Sequence, residues 1–94
     1  MHFDISLMTA GGVDASFGLS NGTDETATFQ RAVIENTREN ILLMPNEKVG
    51  FKAFIKVCDI NKFDTLITDW DALEDELIKI EEIGVDVIVV EKEI

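Results

Sequence analysis

Residues 63–90 read FDTLITDWDALEDELIKIEEIGVDVIVV, and the succession of patterns in this stretch decides the fold. "DTLITD", 64–69, is short and apolar on both faces, which predicts a buried strand. Asp71 then stands three residues before Glu74, an Asp version of the capping box that opens a helix. Leu73, Leu77 and Ile80 recur at helical spacing and predict its core face. Gly84 supplies the stop, because a left-handed residue ends many helices. "VDVIVV", 85–90, is a second buried strand, and the acidic tail "EKEI", 91–94, is expected to fray. A strand, a helix and a strand, with β-branched residues in both strands, predict a parallel sheet covered by helices.

The same grammar extends upstream. "ILLM", 41–44, is continuously apolar, stops at Pro45, and reads as another buried strand; "PNEKVG", 45–50, is a loop. "FKAFIKV", 51–57, alternates Phe51, Ala53, Ile55 and Val57 against Lys52 and Lys56, a strand with one wet face. "FDISLMT", 3–9, places Phe3, Ile5 and Leu7 on one face of a first strand. Between them "TAGGVDASFGLSNGTDETA", 9–27, holds four of the six glycines and reads as a loop running into a helix. Thr23 is the N-cap, and Asp24 and Glu25 complement the helix dipole in the first turn. Phe29, Ala32, Val33 and Ile34 form the expected stripe, and Asn40 is expected to end the helix. The fold class is α/β, a mostly parallel sheet flanked by helices.

With 94 residues there is room for one small domain. An apolar content of 46% with 29% charged residues suits a folded chain rather than a disordered one. No apolar run approaches the roughly 20 residues a membrane span needs, and "MHFDISLM" lacks the features of a signal peptide. The single cysteine, Cys58, sits in "FIKVCDI" without an activating base and reads as a small core residue; with no export signal, it suits a reducing cytoplasm. A formal net charge of −11 repels phosphate backbones, so direct nucleic-acid contact is not expected. One Cys and the distant His2 make no metal site, and no nucleophile has a base, so neither a cofactor nor a catalytic set is assigned.

In open α/β sheets ligands bind beyond the C-terminal strand ends. Three segments are expected to converge there: the loop 10–25, the loop 45–50, and the turn 69–71. The first is glycine-rich and opens a helix, whose free N–H groups suit an anion. The second carries Lys48, a point charge suited to phosphate. Gly11, Gly12, Asp14, Glu25 and Lys48 are the candidate ligand-binding residues. Each also has a plain structural reading: a tight turn for the glycines and Asp14, a dipole-complementing acid for Glu25, an exposed loop lysine for Lys48. Trp70, at a strand end, reads as a cap on the core.

The order "DISLMTAGGVDASFGLSN", "DETATFQRAVI", "ILLMPNEKVGFKAFIKV", "FDTLITD", "IGVDVIVV" resembles the C-terminal sensor domain of DeoR-family bacterial transcription regulators. "DTLITD" and its spacing from Lys48–Val49–Gly50 are the most specific parts. The resemblance implies a fold shared with phosphosugar isomerases and CoA-transferase-like proteins, a phosphorylated sugar or related metabolite as partner, and regulation of transcription rather than turnover. Lys48 falls on the family's loop lysine, and Glu25 on the acid before its helix. By that carry-over Lys48 would pair with a phosphate or sugar oxygen, the Gly11–Gly12 backbone would approach it, and Glu25 would accept from sugar hydroxyls. Gly11 stands where many relatives have Asp or Asn, and Gln30 where they have lysine.

The resemblance further implies that residues 1–94 correspond to the second half of such a sensor, without its DNA-binding domain. A half-fold exposes sheet edges and apolar faces, so a homo-oligomer, or pairing with a missing first half, is the alternative role. A sugar-phosphate isomerase using Glu25 or Asp14 as base is the enzymatic alternative.

Overall fold

The computed structural model describes residues 2–92. In chain order the elements are β1 (Phe3–Met8), β2 (Gly12–Asp14), β3 (Gly18–Asn21), α1 (Asp24–Glu35), β4 (Thr37–Leu43), β5 (Ile55–Cys58), β6 (Thr65–Asp69), α2 (Glu74–Ile83) and β7 (Asp86–Val90). Single turns of 3₁₀ helix lie at Asn46–Lys48 and Ile60–Lys62. The β-branched segments pair in parallel to build a four-stranded sheet, ordered β1-β4-β6-β7. A second, antiparallel sheet is ordered β2-β3-β5. The chain is therefore α/β as its patterns predict.

The helix ends follow their local chemistry. The Thr23 hydroxyl accepts from the Thr26 amide at 3.3 Å, capping α1, and Gly84 closes α2 at φ 111° in the left-handed region that glycine tolerates. Two boundaries differ from expectation. Asp71 does not cap α2: the helix begins at Glu74 after Leu73, and the Asp71 amide instead donates to the Asp69 carboxylate at 3.1 Å. Asn40 does not end α1, which stops at Glu35. Asn40 is buried in β4, where it accepts from the Ser6 hydroxyl at 2.6 Å and its amide donates to Asp64 at 2.8 Å. These bonds satisfy a buried amide and pin β1, β4 and β6 at one end.

The core lies on one side of the four-stranded sheet. Met8, Leu42 and Leu66 meet Ala27 and Ile34 of α1, Leu77 and Ile80 of α2, and Val13, Leu19 and Val57 of the smaller sheet. The expected stripe of α1 is rotated: Ala27, Gln30 and Ile34 are buried, whereas Phe29 is exposed. Leu73 is exposed too, so the core face of α2 reduces to Leu77 and Ile80. Cys58 is half-buried against this core, and burial, with Asp59 beside it, pushes its thiol up to about 11. One strand reading holds with its apolar face open, and two need correction. Phe3, Ile5 and Leu7 do share a face of β1, but that face is exposed. The strand expected over 51–57 is confined to Ile55–Cys58, with Phe51 and Phe54 outside it and exposed. Segment 85–90 is an edge strand with Ile88, Val89 and Val90 exposed, because β7 has a neighbour on one side only and no layer over its outer face. Of the tail, residues 93–94 lie outside the described residues.

Candidate functional site

Parallel pairing puts the C-terminal ends of β1, β4, β6 and β7 along one edge, and the loops that leave them are tied together there. The Gly50 amide donates to the Val13 carbonyl at 2.7 Å, and Val13 and Val49 form a parallel bridge. This joins the segment after β1 to the loop after β4. Asp69, the last residue of β6, accepts from the Asn46 amide at 2.8 Å and from its side chain at 3.2 Å. The Asn46 amide chiefly holds the Asp69 carboxyl below the usual carboxylate range; burial opposes this, and the Asp71 amide and the Asn46 side chain reinforce it. The three segments expected to converge, 10–25, 45–50 and 69–71, are thus linked through backbone and one carboxylate.

The glycine-rich stretch is a β-hairpin, β2 and β3, rather than an open loop. Its glycines admit close backbone approach. A Cβ at Gly12 would stand 2.2 Å from the Phe51 carbonyl oxygen, and one at Gly18, whose φ is +91°, 2.1 Å from the Cys58 oxygen. The Gly11 amide is already engaged, donating to the Ser20 carbonyl at 3.0 Å and to Asn21 Oδ1 at 2.9 Å. Gly12 is buried within β2. Asp14 forms the hairpin turn, accepting from the Ser16 amide at 2.9 Å, the Ser16 hydroxyl at 2.6 Å and the Phe17 amide at 2.8 Å. Burial opposes ionisation of Asp14, but these hydrogen bonds, helped by Lys52, outweigh it and hold the carboxyl below its ordinary value. Glu25 lies exposed in the first turn of α1, and Lys48 is half-exposed in the 3₁₀ turn after β4. Lys48 has no ion-pair partner among the described residues. Trp70 is half-exposed under Lys92, whose ammonium lies 5.0 Å from the ring centroid, so it does not cap the core.

Four further residues shape this edge; the sequence reading noted Gln30 only as a departure from the family pattern and assigned the other three no part. Gln30, buried on α1, donates to the Thr9 carbonyl at 2.8 Å and accepts from Asn21, which also holds Gly11. Glu76 of α2 accepts from the Ala15 amide at 2.6 Å and anchors the hairpin. Thr68 Oγ1, near the end of β6, is buried without a hydrogen-bond partner among the described residues. A buried polar side chain on an apolar stripe is the one signal that marks Gln30 in advance; the partners of the others are remote in sequence.

Two cavities flank the edge. One of about 460 Å³ lies between the hairpin and α2, and Asp14, Glu76 and Glu82 against Lys79 make it acidic and unsuited to an anion. One of about 390 Å³ lies at the ends of β4, β6 and β7 and includes Pro45, Thr68 and Asp69. Lys48 lines neither. The sequence model described as the DeoR C-terminal sensor domain matches residues 1–70, from β1 through the end of β6. The chain belongs to the DeoR C-terminal sensor domain family. The match takes in the hairpin, α1, the Lys48 turn and the whole "DTLITD" strand. The four-stranded parallel sheet with its helices is consistent with the isomerase and CoA-transferase-like fold of DeoR sensor domains. As a DeoR sensor domain the chain belongs to the effector-binding part of transcription regulators, a family generally without catalysis. Among the described residues no helix is long and apolar enough to cross a membrane.

Proposed function

We propose that the C-terminal edge of the parallel sheet binds a phosphorylated sugar or related metabolite as an effector, without turnover. The observation that carries this reading is the placement of Lys48. It is a cation without a salt-bridge partner among the described residues, in a chain of net charge −11, on a turn fastened at Asn46 to Asp69 and at Gly50 to Val13. Such a turn fixes the backbone that carries Lys48, so the ordering still lost when an anion pairs with the ammonium is that of the side chain. Glu25, exposed at the start of α1, is the candidate acceptor for sugar hydroxyls.

The glycines act differently from a phosphate cradle. Gly11 has its amide engaged and Gly12 is packed against Phe51, so their part is to let the hairpin lie close enough for Val13 to receive Gly50. Asp14 shapes the hairpin turn by the same logic. Within a regulator, effector binding at this edge would be read out as altered DNA affinity of a separate DNA-binding domain.

Isothermal titration of hexose and pentose phosphates, with inorganic phosphate and the unphosphorylated sugars as controls, tests the reading. Saturable binding of a sugar phosphate that falls about tenfold or more in Lys48→Ala, the size of one charge-assisted contact, is the expected result. Binding unchanged by Lys48→Ala, or no binding by any sugar phosphate, would contradict it.

A further inference from the structure

A third cavity, of about 380 Å³, lies between α1, β5 and the 3₁₀ turn that follows β5, and Lys48 has no part in its lining. Its size suits a small ligand. Arg31, Lys56 and Lys62 line it, three of the eight lysines and arginines in a chain of net charge −11. Two carboxylates, Glu35 and Asp59, line it too, so the cavity keeps one positive charge. The rest of the lining is apolar. Ile34 and Val57 are buried. Cys58 is half-buried and keeps a neutral thiol, because burial, with Asp59 beside it, pushes that thiol up to about 11.

The Arg31 guanidinium is already held in place. Its Nη1 donates to the Lys56 and Val57 carbonyls at 3.0 and 3.3 Å, and its Nη2 to the Thr28 hydroxyl at 3.4 Å. Arginine has five N–H donors in a planar fork, so the Nε–H and one Nη2–H are left for a further acceptor. Lys56 is tied to Asp59 at 2.5 Å. Lys62 is exposed and has no ion-pair partner among the described residues.

We propose that this cavity binds a carboxylic acid with an apolar body, its carboxylate on Arg31 and Lys62 and its body on Ile34, Val57 and Cys58. Two parallel N–H groups of an arginine fork match the two oxygens of a carboxylate. Because Arg31 is held before the ligand arrives, less ordering is lost on binding. The single surplus charge suits a monoanion, whereas a phosphate dianion would add net negative charge to an already acidic chain. The site is separate from the effector reading at Lys48, and either can fail without the other.

An NMR titration of the full chain with octanoate tests the proposal, beside 1-octanol, octylammonium and acetate. Octanoate should give saturable shifts at Arg31, Glu35, Val57, Cys58 and Lys62, the Arg31 Nε–H among them. 1-Octanol lacks the charge and acetate lacks the body, so each should bind about tenfold or more weakly. Octylammonium should not bind there. Lys62→Glu should weaken octanoate about tenfold or more. Arg38→Glu, the same change of charge at an exposed position outside the cavity, should leave binding intact. Both side chains are exposed, so far-UV circular dichroism should be unchanged.

The proposal is overturned by an absence of saturable shifts at these residues, or by equal binding of 1-octanol or octylammonium. Shifts that map instead to Leu7, Leu43 and Ile88 on the open sheet face would overturn it as well. So would a Lys62→Glu effect that is absent or no larger than that of Arg38→Glu. Should Lys62→Glu unfold, NOEs between octanoate methylenes and the wild-type chain decide: contacts with the Ile34 and Val57 methyls support the site, and their absence overturns it.

Discussion

The covered and the open face of one sheet differ by a single step in strand register. Leu42 and Leu66 are fully buried, whereas Leu43, adjacent in the same strand, is half-exposed. Side chains alternate between faces, so one residue along a strand separates a core position from a surface one. In this chain both positions carry the same residue type. Burial is therefore set by what the remaining elements can cover, and two helices with a three-stranded sheet cover one face.

Substitutions on the two faces should break or sharpen this contrast. The largest effects belong to the covered side. Leu66→Ala should cost about 2–5 kcal/mol in denaturant unfolding, from lost burial and a cavity. Gly12→Ala should cost about 3 kcal/mol or more, because its new Cβ would meet the Phe51 carbonyl, backbone that a rotamer change cannot move. If either is tolerated with less than about 1 kcal/mol lost, the core described here is not the one that holds the chain together.

Next comes the tie between loops. Asp69 has its folded pKa below the unfolded value of about 3.9. Its stabilising contribution is therefore complete above that value and is lost as the pH falls through it toward the folded pKa. Asp69→Asn should flatten the acid limb of the stability profile and increase amide exchange at Asn46 and Asp71, while leaving neutral-pH circular dichroism intact. An unchanged acid limb would remove Asp69 from the account of the edge. Thr68→Val should be neutral or stabilising by up to about 1 kcal/mol, since it deletes a buried hydroxyl that has no partner; a marked loss would show that the hydroxyl is engaged. The smallest effect is expected on the open face. Leu7→Ala in dilute, monomeric solution should change stability by no more than about 0.5 kcal/mol, against the large cost at Leu66.

Much of the fold was legible because its signals are local. Thr23 and Gly84 mark helix ends through their own backbone geometry, and "DTLITD" reads as a strand from its apolar pairs. The hairpin 12–21 was not legible. Its strands have three and four residues, too short for an alternation to register, and its glycines serve contacts with Phe51 and Cys58 some 40 residues away. Asn40 misled for a related reason: asparagine is a common helix stop, but here it is a buried tie whose partners are Ser6 in β1 and Asp64 just before β6. The uncovered face was invisible to residue patterns, because "VDVIVV" has the composition of a buried strand whether or not a layer is present to bury it. At the candidate site, Lys48 could be singled out by residue type and motif spacing. Asp69 and Gln30, which fasten the segments around it, became apparent through their partners in space.

The most direct test of the effector reading is an amide-proton fingerprint of the full chain titrated with sugar phosphates, wild type beside Lys48→Ala. The account predicts saturable shifts centred on Asn46, Lys48, Gly50 and the first turn of α1, small in the acidic cavity beside α2, and lost in Lys48→Ala. Shifts that map to the hairpin–α2 cavity instead, or that survive the loss of Lys48, would contradict it.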